Sequence, residues 1–255
     1  MKLKSLVSLM IVLAVAGIAF ATPYATEVIS YTAGTNAASG YTDPLTALGE
    51  PERQTGWGDV TMFNAPWLTD EIVSIGAGGS LVVKFDHQVV DNPGGTYWGI
   101  DFLIFGNAFF SNSGGTAGGC FAEPGDIAVS QDGTTWHDID GVYADDLFPT
   151  QGFIDTSSMY GSDGSIPTDF TRPVDPGIAW SGKTYSELLT LYNGSGGGTG
   201  VDFSSTGLDW IQYVKVYQNS TDTWSAEIDA FADVVPEPAT IALLGLGGLL
   251  LRRKA

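Results

Sequence analysis

The chain has 255 residues, 44% of them hydrophobic, with 29 acidic against 10 basic side chains and a formal net charge of −19. Only five of the basic residues fall between residues 22 and 238, a stretch that holds all 29 acidic ones, so nucleic acid and anionic lipid are excluded as partners by repulsion. Three explanations of so acidic a surface stand side by side: solubility, saline surroundings, or partial neutralisation by divalent cations.

In chain order, the first element is an export signal. Lys2 and Lys4 precede an apolar run from Leu6 to Phe20, broken only by Ser8, and Ala19-Phe20-Ala21 supplies an A-x-A cleavage site. The mature chain is expected to begin near Thr22. Residues 22–235 then read as one domain of about 215 residues, a size that suits a single large β-sandwich.

Within that domain helical periodicity is almost absent, and Gly, Pro, Ser, Thr, Asn and Asp punctuate the chain every eight to fifteen residues, as in all-β folds. Strands are expected at Ser80 to Asp86, Gly99 to Gly106, Asp126 to Gln131, Thr135 to Asp140, Trp210 to Gln218 and Ser225 to Val235. Asp132-Gly133 marks a hairpin of type I′, which needs positive φ at both central positions. Apolar residues on both faces from Phe102 to Phe105 predict a central strand with Asp101 at its entrance. From Ala226 to Val234 apolar and acidic residues alternate, which predicts one face on the core and places Glu227 and Asp229 on the same side.

The segment Thr184 to Tyr192 is compatible with one short helix. The glycine-rich stretch Asn193 to Gly200 lacks the Lys-Ser/Thr and the strand-to-helix setting of a phosphate loop, and reads as a flexible surface loop. Cys120 is the single cysteine, so no internal disulfide can form; its thiol is either buried or available for an intermolecular bond. His87 and His137 are the two histidines, and no G-x-S-x-G or H-E-x-x-H motif is present. A non-catalytic protein is therefore expected. A two-carboxylate glycosidase stays open as a lesser alternative, because so many acidic residues allow a facing pair.

At the C-terminus, Pro236-Glu237-Pro238 is followed by an apolar run from Ala239 to Leu251 and by Arg252-Arg253-Lys254. These features in this order resemble the PEP-CTERM sorting signal of exported bacterial proteins. The resemblance implies an exosortase that recognises Pro236, Glu237 and Pro238, a membrane-spanning apolar helix, and Arg252, Arg253 and Lys254 as a stop on the cytoplasmic side. Thirteen helical residues reach only ~20 Å against a hydrocarbon core of ~30 Å, which suits transient holding and cleavage better than a lasting anchor. Residues 236–255 are accordingly assigned to sorting. The protein is expected at the membrane first and then at the cell surface or in the extracellular matrix, with the export machinery, the exosortase-type enzyme and envelope polysaccharide as partners.

Several phrases of the middle domain, among them Gly78-Gly79-Ser80-Leu81-Val82-Val83-Lys84-Phe85, Asp101-Phe102-Leu103-Ile104-Phe105-Gly106-Asn107 and Glu227-Ile228-Asp229-Ala230, together resemble bacterial surface domains related to discoidin and galactose-binding-like jelly rolls. That resemblance implies a jelly-roll-like antiparallel sandwich, a structural calcium near the first loop and the last strands, and glycan binding by loops at one end; it implies no activity. Calcium takes several oxygen ligands, for which Asp43, Asp101, Glu123, Glu227 and Asp229 are the candidates, with an acidic edge facing water or paired with Lys84, Lys215 or Arg53 as the alternative. A carbohydrate-binding module is a second reading. Trp57, Trp67, Trp98, Trp180 and Trp224 lie in or beside expected loops, where their faces are placed to stack on sugar rings.

Overall fold

The computed structural model describes residues 22–92 and 97–234. Its strands are β1 (Ala25–Thr32), β2 (Gln54–Thr55), β3 (Gly58–Asp59), β4 (Val73–Ile75), β5 (Ser80–Val90), β6 (Phe102–Gly106), β7 (Phe109–Ser113), β8 (Thr116–Phe121), β9 (Gly125–Ser130), β10 (His137–Ala144), β11 (Thr199–Val201), β12 (Trp210–Tyr217) and β13 (Ala226–Asp233). They form a five-stranded sheet in the order β1-β5-β12-β9-β10 and a four-stranded sheet in the order β11-β6-β13-β4, with β2-β3 and β7-β8 as separate hairpins. Every strand pair is antiparallel. The expected all-β antiparallel sandwich is thus present, and all six expected strands are found.

Alternation builds the core between the sheets. Leu81, Val83 and Phe85 of β5, Ile127 and Val129 of β9, and Val214 and Val216 of β12 meet Val73, Ile75, Phe102, Ile104, Ile228 and Phe231 from the four-stranded sheet. Each such side chain contributes roughly 1.5–3 kcal/mol when fully withdrawn from water. The intervening residues of β6, Leu103 and Phe105, point to the other face of their sheet, where they join Ala230, Ala232 and Phe170 in a second cluster. Phe105 and Phe170 meet edge-to-face at 5.2 Å. Strand β6 is therefore central and covered on both sides, as its sequence predicts.

Strand β13 departs from expectation. Its residues Ala226 to Ala232 are all buried, Glu227 and Asp229 included. A register shift between Ile228 and Ala230 changes the parity of the strand, so Ile228 and Phe231 both reach the sandwich core while Ala230 and Ala232 face the outer cluster. The long connection between β10 and β11 supplies Phe170 to that cover, which is why an acidic alternation here does not mean a wet face.

A third cluster lies under helix α1 (Tyr185–Tyr192), where Met62, Phe63, Phe110, Phe148, Leu188 and Tyr192 pack together. Thr184 caps the helix, accepting from the Glu187 backbone N–H while Glu187 accepts from that of Thr184. Reciprocal capping of this kind satisfies two donors that would otherwise be orphaned. Trp180 stacks on Phe110 at 4.7 Å in the same region, as a packing residue.

Two turn expectations are corrected. Gly133 has φ of +74° but Asp132 is not in the left-handed region, so β9 and β10 are joined by a longer loop and not by a type I′ pair. Asp132 organises that loop instead, its Oδ1 accepting from the backbone N–H of Thr134 (2.8 Å) and Thr135 (2.7 Å). The glycine stretch Asn193 to Gly200 is not a flexible surface loop: Ser195 to Thr199 are buried, and the segment runs on into β11. A Cβ on Gly196 would lie 2.1 Å from the Phe170 ring, so glycine here permits close approach in the interior.

Candidate functional site

Three loops converge at one end of the sandwich. Asp91 follows β5, Asp101 precedes β6 and Asp202 follows β11, and backbone bonds fix them: Asp91 N–H donates to Asp209 O (3.1 Å) and Asp101 N–H to Val201 O (2.8 Å). One carboxylate oxygen from each of the three lies within 4.8 Å of the others. Asp101 is fully buried, with Oδ1 accepting from Asn92 N–H (2.7 Å) and Oδ2 from Phe203 N–H (2.9 Å). Burial, followed in smaller part by the charges of Asp91 and Asp202, pushes its carboxyl up to about 6 against those two hydrogen bonds. Asp91 Oδ1 is buried and receives no hydrogen bond. Gly99, at φ +82°, leaves room beside Asp202, whose Oδ2 would lie 3.2 Å from a Cβ at that position.

Hard oxygen donors of negative charge, one of them without a protein donor, match what a divalent cation such as calcium takes. Asp101 was legible in the sequence as a strand-entrance carboxylate. Asp91 and Asp202 were not, because each looks like an ordinary turn aspartate until the fold brings them together.

The other four candidates, Asp43, Glu123, Glu227 and Asp229, lie outside this group, and Glu123 instead meets the Glu227 carboxyl through a side-chain hydrogen bond. Asp43 is exposed and caps the short 3-10 helix Pro44–Ala47 by accepting from Leu45 N–H (3.0 Å). Glu227 accepts from the hydroxyls of Ser74 (3.2 Å) and Ser225 (3.0 Å), while its backbone N–H donates to Asp145 Oδ2 (3.1 Å). Burial first, then Glu123 and Asp145, hold the Glu227 carboxyl well above the usual range. Asp229 accepts from Glu52 N–H (3.0 Å) and is likewise pushed up by burial. Among the described residues, Asp91, Asp101 and Asp202 are the one group of three whose oxygens meet in this way.

Nor do Lys84, Lys215 and Arg53 neutralise the candidates. Lys84 pairs with Glu27, Arg53 pairs with Glu50, and Lys215 sits over the rings of Trp136 (4.9 Å) and Tyr217 (4.8 Å). Cys120 is half-buried on β8, and burial raises its thiol to about 12, which suppresses the thiolate at neutral pH. His87 bridges Asp86 (2.8 Å) and Asp233 (3.0 Å).

The fold and this site define the class: an antiparallel β-sandwich carrying at one end three clustered carboxylates, of which Asp101 is buried, Asp91 half-buried and Asp202 exposed. Residues 234–254 match the PEP-CTERM protein-sorting motif, which implies an exported, surface-directed protein handled by exosortase-type machinery. No curated protein matches the chain. Most of the matched residues, and the expectations placed on Ala19, Ala21, Pro236, Glu237, Pro238, Arg252, Arg253 and Lys254, lie outside the described residues. Among the described residues no helix is long and apolar enough to cross a membrane.

Proposed function

We propose that this protein is a non-catalytic module of the cell surface or extracellular matrix, stabilised by a divalent cation, with calcium the best fit, held by Asp91, Asp101 and Asp202. The observation that carries the reading is the meeting of one carboxylate oxygen from each of three loops, with Asp91 also holding a buried Oδ1 that has no donor of its own. A cation there would lock the loops at one end of the sandwich by binding only the folded state. The antiparallel five-on-four sandwich supports the further likeness to discoidin and galactose-binding-like jelly rolls.

Thermal unfolding of the purified protein tests the cation. At calcium about 100-fold above Kd the gain is ~2.7 kcal/mol, which for a domain of this size raises the midpoint by about 5–10 °C. Excess chelator should reverse the shift, Asp101→Asn should abolish it, and Asp43→Asn should leave it intact. No shift with calcium would sink the reading.

The sorting tail supports removal at or near Pro236 to Pro238 during export, through an exosortase-type enzyme. Intact mass of the exported protein should lack Arg252, Arg253 and Lys254; a mass that retains them would overturn the cleavage.

A further inference from the structure

We propose that a surface groove bounded by Trp57, Trp67, Phe109 and Tyr160 is a binding site for an uncharged polysaccharide, a function that goes beyond the reading above and does not depend on the cation. The groove encloses about 440 Å³ and is also lined by Asn64 and Asn107. Its location is unexpected: it belongs to the β2-β3 hairpin and to the loops beside it, and not to the three-carboxylate end of the sandwich.

The residues are built for display. Thr55 pairs with Gly58, which leaves Gly56-Trp57 as the two-residue tip of a tight hairpin. Trp57 is 72% exposed, Tyr160 55% and Trp67 36%, a concentration of bare aromatic surface that water disfavours unless something covers it. The Trp57 and Trp67 rings lie 5.0 Å apart and tilted by 43°.

They are also held in place. Trp67 N–H donates to Glu71 Oε2 (2.9 Å), Tyr41 donates to Trp67 O (2.6 Å), and the Trp67 ring lies against Gly56, where a Cβ would come within 2.7 Å of it. The turn carrying Tyr160 is fastened to β3 and its exit, with Asp59 N–H donating to Gly161 O (2.9 Å) and the Thr61 hydroxyl to Met159 O (2.5 Å). Phe109 extends the aromatic surface by stacking on Phe121, which is 49% exposed. Fixing the rings in advance lowers the entropy lost on binding.

Three observations select the ligand. Flat aromatic faces offer their negative π-clouds to the C–H face of a sugar ring, and Trp57, Trp67 and Tyr160 bring exposed rings to one groove. Asn107 borders the groove with its Oδ1 buried and without a hydrogen-bond donor in the chain, an unmet acceptor that a sugar hydroxyl would satisfy once the side-chain amide turns toward the groove. No lining residue is acidic or basic, although the protein carries a net charge of −19, so the groove has no group to pair with uronate or sulfate and the surrounding field repels them.

Affinity electrophoresis of the purified exported protein through gels containing hydroxyethylcellulose, galactomannan or xyloglucan, with alginate as the anionic comparison, tests the site. Retardation is expected in at least one neutral gel and not in alginate. Trp57→Ala should weaken it by roughly tenfold, Trp57→Phe should retain most of it, and Trp224→Ala, an exposed tryptophan outside the groove, should match the parent. Thermal unfolding of each variant shows that the fold is intact. Absence of retardation in every neutral gel, retardation in alginate alone, or equal retardation of Trp57→Ala and the parent would each overturn the proposal. None of these outcomes bears on the calcium shift, so the two readings fail separately.

Discussion

In chelator, raising the pH from 5 to 8 should lower the unfolding midpoint of this protein by about 5–10 °C. The cause is a set of buried carboxyls whose protonated form the fold prefers. Asp145 is 1% exposed, and burial, outweighing the hydrogen bonds from Glu227 N–H and Ala108 N–H, pushes it up to about 7. Glu227 and Asp229 are displaced upward for the same reason. Among the described residues none of the ion pairs reaches these three groups.

The sign follows from proton counting. In the unfolded chain these groups titrate near 4, so between about pH 4 and 7 the native state holds more protons than the unfolded one, and stability falls as pH rises. The contribution is present below the unfolded value and lost on passing the folded one. His87, raised by its hydrogen bond to Asp233, acts in the same direction through its own range. Asp155, lowered to about 2 by bonds from Ser165 and Ile166, opposes only in acid below about pH 4. Between pH 5 and 8 Asp145 alone accounts for about 2–3 kcal/mol, and ~2–4 °C per kcal/mol gives the stated shift. Midpoints measured from pH 5 to 8 would refute the argument if they stayed level or rose, and Glu227→Gln should flatten the slope.

The second large effect is expected at Arg53. Its guanidinium donates from Nη1 to Gly152 O (2.5 Å) and from Nη2 to Thr168 O (3.1 Å), and its Cζ lies 4.1 Å from the centre of the Phe170 ring. It therefore ties the start of the chain to the segment that covers the outer face of the four-stranded sheet. Arg53→Ala removes charge-assisted bonds to partly buried carbonyls and uncovers the ring, for an expected loss of about 2–4 kcal/mol in urea unfolding. The exposed partner Glu50 should matter little, with Glu50→Ala costing at most about 1 kcal/mol. Lysine lacks the planar fork, so Arg53→Lys should recover less than half. Equal effects at Arg53 and Glu50 would show that the surface pair, and not the internal staple, is what counts.

Strands β5, β6, β9 and β12 were legible because alternation and turn residues are local signals. The outer cover was not, since nothing between Ala226 and Val234 announces that Phe170 and its neighbours will lie over that strand. For this reason Glu227 and Asp229 read in the sequence as a shared acidic face, a calcium candidate or a solvated edge, where the fold buries both. Of the candidate cation site only Asp101 could be read, because Asp91 and Asp202 gain meaning from a meeting of loops far apart in sequence. Trp57 and Trp67 were recognisable as loop aromatics, but their pairing depends on Gly56 admitting one ring against the backbone.

The buried glycine segment carries a practical lesson for anyone who labels or dissects this protein. A run such as Gly194 to Gly198 is where an epitope, a protease site or a fluorophore would ordinarily be inserted, yet here it is wedged between Phe170, Phe105 and the backbone of Pro149. An insertion there would pry the outer cover away from the sheet. The Asn112 to Gly115 turn is exposed, and Gly114 and Gly115 have nothing within 4 Å of an added Cβ, so the chain has room for foreign sequence at that tip.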